Sequence, residues 1–121
     1  MTPLMLIEEF GLQTQFPGVS AWEQRSVHQK VVLTHKASSR LGIFEVAIWR
    51  VPVNRSYPEG IKYRAWLSEA GKTIFGFDNH QPKGPHLHIG EREVGYVFRG
   101  ISALREDILA MIAEEGFIYE D

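Results

Sequence analysis

From residue 27 onward the chain alternates in the manner of a sheet. Val27, Gln29, Val31 and Leu33 fall on one side of an extended segment and His28, Lys30, Val32 and Thr34 on the other, which fits a strand with one buried and one partly wet face. A turn over 37–42, containing Arg40, leads into 43–51, the run richest in β-branched and aromatic residues. Residues 52–60 carry Asn54, Ser56, Pro58 and Gly60 and read as an exposed loop. Alternation resumes at 61–68, with Ile61, Tyr63, Ala65 and Leu67 opposed to Lys62, Arg64, Trp66 and Ser68. A turn at 70–72 returns the chain through a strand at 73–77, and 95–99 predicts one more short strand, with Tyr96 and Phe98 on one side.

The period then changes. Ile101, Leu104, Ile108, Met111 and Ile112 make a helical stripe, which predicts a helix over 103–115 with Ser102 as its cap, Arg105, Glu106 and Glu114 facing water and Gly116 as its stop. Residues 2–10 read as a short helix capped by Thr2, or as an edge strand, and Pro17 and Gly18 mark a turn before Trp22, a hydrophobic plug. Consecutive, closely spaced strands favour an antiparallel meander. The expected fold is therefore α+β: four to six antiparallel strands with the C-terminal helix packed on one face, one domain over 1–121, and 1–26 the segment with least pattern.

Composition narrows the function. A chain of 121 residues, 44% hydrophobic, supports one modest core. With 13 Lys and Arg against 15 Asp and Glu the formal charge is -2, so any affinity for nucleic acid has to come from a local patch. The absence of cysteine excludes disulfides, thiolate nucleophiles and zinc–thiolate sites. Neither a basic-plus-apolar leader at the start nor a run of about 20 apolar residues is present, so a cytoplasmic protein without a membrane segment is expected. The apolar tail Phe117, Ile118 and Tyr119 suits a sheet edge or a homodimer contact.

The chemistry gathers between residues 76 and 93, which hold three of the five histidines. Pro82, Gly84 and Pro85 restrict a loop that carries His80 and Lys83 toward His86 and His88, two histidines at strand spacing that face the same way. His28 and His35 read as ordinary sheet-surface residues. Two chemistries fit the cluster. In one, imidazoles take a proton from a ribose 2'-hydroxyl and return one to the leaving 5'-oxygen, Asp78 orients a ring, and Lys83 with Lys62, Arg64 or Arg92 holds the phosphate; no cofactor is needed. In the other, His86 and His88 bind a divalent metal with Asp78, His80 or Glu93 as a third ligand. His86, His88 and Glu93 partly match a cupin metal motif, although the leading glycine of that motif falls at His80 and no second motif follows. A loop that binds a partner without turnover is the third reading. Lys62, Arg64 and Trp66 form a basic and aromatic strip suited to phosphate and base, or simply to water. Phosphate-loop, dinucleotide, His-Glu-x-x-His and Gly-x-Ser-x-Gly signatures are absent.

Trp49-Arg-Val-Pro52, Ile61-Lys-Tyr-Arg64, Gly76-Phe-Asp-Asn-His80, Lys83-Gly84-x-His86-x-His88, Gly90 to Glu93, Tyr96-x-Phe98 and the closing helix together resemble the TumE-type family of small toxins. The likeness runs from about Lys30 to Ile112, with 76–98 its most specific part. Asp78, Asn79, Lys83, Gly84, His86, His88, Glu93 and Tyr96 match the family pattern, whereas Pro85 stands where relatives often carry His or Asp and Leu87 where they often carry Arg. The resemblance implies the toxin half of a toxin–antitoxin pair, with a helix-turn-helix antitoxin as partner; RNA, a common target of small toxins, is the candidate substrate that the site chemistry suggests.

Overall fold

A computed structural model describes residues 12–13 and 18–119. The expected helix or strand at 2–10 lies outside the described residues. Elements run β1 (Leu12–Gln13), α1 (Val19–Gln24), β2 (Val27–His35), β3 (Leu41–Arg50), β4 (Ile61–Glu69), β5 (Lys72–Asp78), β6 (His86–Ile89), β7 (Arg92–Gly95), α2 (Ile101–Glu114) and β8 (Phe117–Ile118). Strands β2 to β7 form an antiparallel meander in sequence order. β1 joins β2 in parallel, and β8 pairs antiparallel with Thr34 and His35 of β2. The fold is α+β as expected, with more strands than four to six because the two short terminal segments add to the sheet and the region after residue 85 forms a full hairpin.

Parity explains the two faces. Registers place Val31, Phe44, Leu67 and Phe75 in one row and Val46, Ala65, Phe77 and Leu87 in the next. All but Leu87 are buried, and Leu87 packs against the core they form. Against this face lies α2, whose Leu104, Ile108 and Ile112 are fully buried. Each such side chain contributes about 1.5–3 kcal/mol of transfer free energy. Trp22, on α1, is buried in the same core, as a plug should be.

Three expectations about this region need correction. The last strand is Arg92–Gly95 rather than 95–99: the tight turn at Gly90 closes a hairpin onto β6, and the chain leaves the ladder at Tyr96, whose N–H bonds to the Pro85 carbonyl at 3.2 Å. The alternation still holds beyond it, since Tyr96 packs edge-on to Phe77 and Phe98 stacks on Tyr63. Helix α2 starts two residues earlier, at Ile101 with Gly100 as its N-cap, whose φ of 106° suits glycine, and the Ser102 hydroxyl donates to the Glu23 carboxylate instead of capping. Arg105 is buried, not water-facing, with its guanidinium between the rings of Trp22 and Tyr119 and a hydrogen bond to the Tyr119 hydroxyl. Gly116, with φ of 85°, follows the end of α2, and the tail covers the β2 edge with Phe117 buried and Ile118 exposed. None of the helices among the described residues is long and apolar enough to cross a membrane.

Candidate functional site

The face of the sheet opposite α2 is open, and its rows assemble the chemistry. Ala47, Arg64, Asp78 and His86 are cross-strand neighbours in one row; Glu45, Trp66, Gly76, His88 and Glu93 form the next. Rows two residues apart on a strand are about 7 Å apart, within reach of long side chains. Alternation alone therefore brings a carboxylate, two imidazoles and a guanidinium to one patch.

A cleft of about 580 Å³ opens there, lined by Trp49, Lys62, Arg64 and Trp66 from the sheet, His80, Pro82 and Lys83 from the loop, and Asp78, His86 and His88 at its base. The loop is held by local bonds. Asp78 Oδ1 accepts the His80 N–H at 3.1 Å, the Gly84 N–H bonds to the His80 carbonyl at 3.1 Å, and the Gln81 side-chain amide reaches the Ser56 carbonyl at 2.6 Å. Asn79 is buried and extends the β4–β5 ladder with its side chain: Oδ1 accepts from Tyr63 N–H and Nδ2 donates to the Ile61 carbonyl, both at 2.9 Å.

His86 is buried and fixed at both ends. Its Nδ1 lies 2.6 Å from the Gly84 carbonyl, which can only accept, so Nδ1 carries a hydrogen; its Nε2 lies 3.0 Å from Asp78 Oδ1. His88 Nε2 is 3.6 Å from the other Asp78 oxygen, and the two imidazoles meet edge to face with centroids 4.8 Å apart. Glu93 stands 3.9 Å from each ring and is held by Lys83 Nζ at 2.8 and 3.0 Å. The Lys83 hydrogen bond keeps the Glu93 carboxyl below the usual carboxylate range. Trp66 covers the second row: its ring lies over Gly76 and 4.8 Å from His88, its Nε1–H donates to Thr73 Oγ1 at 2.7 Å, and the Arg64 guanidinium sits 4.5 Å from its centre. Lys62 approaches the half-exposed Trp49 ring at 5.4 Å.

Of the residues singled out from sequence, Asp78, His80, Lys83, His86, His88, Lys62 and Arg64 line this one cleft. Arg92 does not. It pairs with Ile89, in the row of Phe75 and Leu67, which places it at the edge of the opposite face. Among possible ligands, one atom each from Asp78, His86 and His88 lie within 4.8 Å of one another; Glu93 stands outside that group, engaged by Lys83. Sequence reasoning passed over Trp49 and Gly76. Trp49 had a signal, since it shares the open-face parity of Lys62; the requirement at Gly76 arises only once Trp66 is in place. His28 and His35 do not line the cleft: His28 meets Glu45 at 2.6 Å and His35 packs against the Phe117 ring.

A family model described as toxin TumE matches residues 13–116. No curated protein and no solved structure matches the chain.

Proposed function

The chain belongs to the TumE toxin family, and from that premise we propose that it is the RNA-cleaving half of a toxin–antitoxin pair, with the open-face cleft as its active site. One observation carries the reading: the cleft joins cationic and aromatic walls, Lys62, Arg64, Trp49 and Trp66, to a base of histidines and a carboxylate. Such walls suit a single strand, with bases on the rings and phosphates on the cations.

The reaction is transesterification. The ribose 2'-oxygen forms a bond to phosphorus as the bond to the 5'-oxygen breaks; one imidazole takes the 2'-hydroxyl proton and a second gives a proton to the 5'-oxygen, leaving a 2',3'-cyclic phosphate and a 5'-hydroxyl. His80, exposed on the loop, and His88, on the sheet, are the pair with access to a bound phosphate. His86 is a positioning residue: its Nδ1–H is committed to the Gly84 carbonyl and its Nε2 lies against Asp78, so neither nitrogen is turned to the substrate. A helix-turn-helix antitoxin, the partner implied by the family likeness, would neutralise the protein by covering the same cleft.

The test is cleavage of end-labelled RNA with product-end analysis. Wild type should yield cyclic-phosphate ends, and His80→Ala or His88→Ala, shown folded by circular dichroism, should be slower by at least roughly 100-fold. A wild-type protein that leaves RNA intact, or folded variants as fast as wild type, would remove the ribonuclease reading in favour of a binding module without turnover.

A further inference from the structure

We infer that Asp78, His86 and His88 form a binding site for a divalent first-row transition-metal ion, with open coordination positions turned to the cleft. With His86 Nδ1–H committed to the Gly84 carbonyl, its Nε2 presents a lone pair, when the ring is neutral, to Asp78 Oδ1 at 3.0 Å. A neutral His88 with Nε2 bare does the same to Asp78 Oδ2 at 3.6 Å. Three groups able to donate electron pairs then converge on a mostly buried point, which a proton on one imidazole satisfies only in part. A divalent ion satisfies all three at once.

The geometry agrees in three respects. Ligands about 2.0–2.2 Å from a tetrahedral ion stand roughly 3.3–3.6 Å apart; His86 Nε2 lies 3.0 Å from one Asp78 oxygen and His88 Nε2 lies 3.6 Å from the other, and one donor atom from each of the three residues falls within 4.8 Å of the rest, so a small side-chain adjustment closes the set. The His86 ring is oriented by donating its other N–H to a backbone carbonyl, the usual outer-shell partner of a metal-ligating histidine. Glu93, 3.9 Å from each ring, stands just outside the ligand set as an outer-shell carboxylate whose charge is shared with Lys83. Two imidazoles and one carboxylate select a borderline ion such as zinc or iron(II) over magnesium. Three protein ligands leave room for water or a phosphate oxygen.

Binding of the ion rests on this geometry alone; its part in catalysis rests on the ribonuclease reading. Were the ion bound, His88 would serve as a ligand, and the chemistry the ion would supply is a bound hydroxide able to take the proton-accepting role assigned to His88 above.

The experiment uses full-length protein prepared without a histidine tag and stripped with chelator. Co²⁺ is titrated by its visible absorption and Zn²⁺ by calorimetry, with Mg²⁺ as competitor. One ion per chain is expected, undisturbed by equimolar Mg²⁺. His88→Ala and Asp78→Asn should each weaken binding by more than the roughly 10- to 100-fold typical of losing an outer-shell partner, while His28→Ala, at the Glu45 contact outside the cleft lining, leaves it unchanged. The inference is overturned if folded wild type takes up no ion saturably, or if His88→Ala binds as tightly as wild type. A protein that binds the ion and does not cleave RNA keeps this site and loses the ribonuclease reading; one that cleaves and binds no ion does the reverse.

Discussion

The Trp66 indole lies directly on Gly76, so close that a Cβ at residue 76 would stand 2.2 Å from the ring. The two are cross-strand neighbours on β4 and β5, and the missing side chain at Gly76 is what lets the ring lie flat against the sheet between Arg64 and His88. Gly76→Ala should lift the indole from its place and break the bond from Nε1 to Thr73. Overpacking of this kind costs about 1–3 kcal/mol. Thermal unfolding and tryptophan emission together check it: an unchanged melting temperature with unchanged emission would show that the ring is not pinned there.

Asn79 predicts a separate, structural loss. Its amide satisfies a buried N–H of Tyr63 and the carbonyl of Ile61 where the β4–β5 ladder has run out. Asn79→Ala strands both groups, and an unmet buried polar group costs about 1–3 kcal/mol. Urea unfolding should register a loss of at least about 2 kcal/mol, larger than that for Asp78→Asn, since Asp78 faces the cleft. A loss below about 0.5 kcal/mol would mean that water replaces the amide freely. The adjacent Asp-Asn pair of the family pattern thus divides into one residue for the site and one for the fold.

The sheet was legible because a period-two pattern runs through most of β2 to β5, interrupted by a register shift opposite Leu67 and Ser68, and the same alternation delivered Asp78, His86 and His88 to one face. Arg92 was misplaced for want of the turn. Once Gly90 and Glu91 are recognised as a two-residue connection, pairing Ile89 with Arg92 and His88 with Glu93 follows by parity, and Arg92 leaves the site. Arg105 and Ser102 could not be read locally. Their partners, Trp22, Tyr119 and Glu23, come from segments distant in sequence or past the end of α2, and a charged residue on a helix carries no mark that two aromatic rings will cover it.

Tyr96 gives an alkaline prediction. Burial first, and then its hydrogen bond of 2.5 Å to the Asp107 carboxylate, pushes its phenol up to about 12 from an ordinary 10.0. The fold therefore favours the neutral phenol: this stabilisation is complete below the unfolded value near 10.0 and is lost as pH rises from there through about 12. Tyr96→Phe should be less stable than wild type at neutral pH by about 1 kcal/mol, and should lose less stability than wild type over that alkaline window. Parallel unfolding curves across the window would contradict the assignment.

The two faces of the sheet predict opposite behaviour for cations that sequence treats alike. Lys62 and Arg64 line the cleft, whereas Arg92 stands at the edge of the other face. If the cleft holds single-stranded RNA, Lys62→Ala and Arg64→Ala should each weaken binding to a short RNA and reduce the steepness of its salt dependence by roughly one phosphate's worth. Trp49→Ala removes a stacking surface worth about 1–3 kcal/mol per base, or about 5- to 150-fold in affinity, with little change in the salt slope because no charge is lost. Arg92→Ala should change neither quantity. Fluorescence anisotropy over a salt series, using an uncleavable 2'-deoxy or 2'-O-methyl strand, separates these outcomes from turnover. Equal losses for Arg92→Ala and Arg64→Ala would mean that charge alone attracts the strand and that the cleft does not hold it; a loss confined to Lys62, Arg64 and Trp49 places the strand on the open face, across the row that ends at Asp78 and His86.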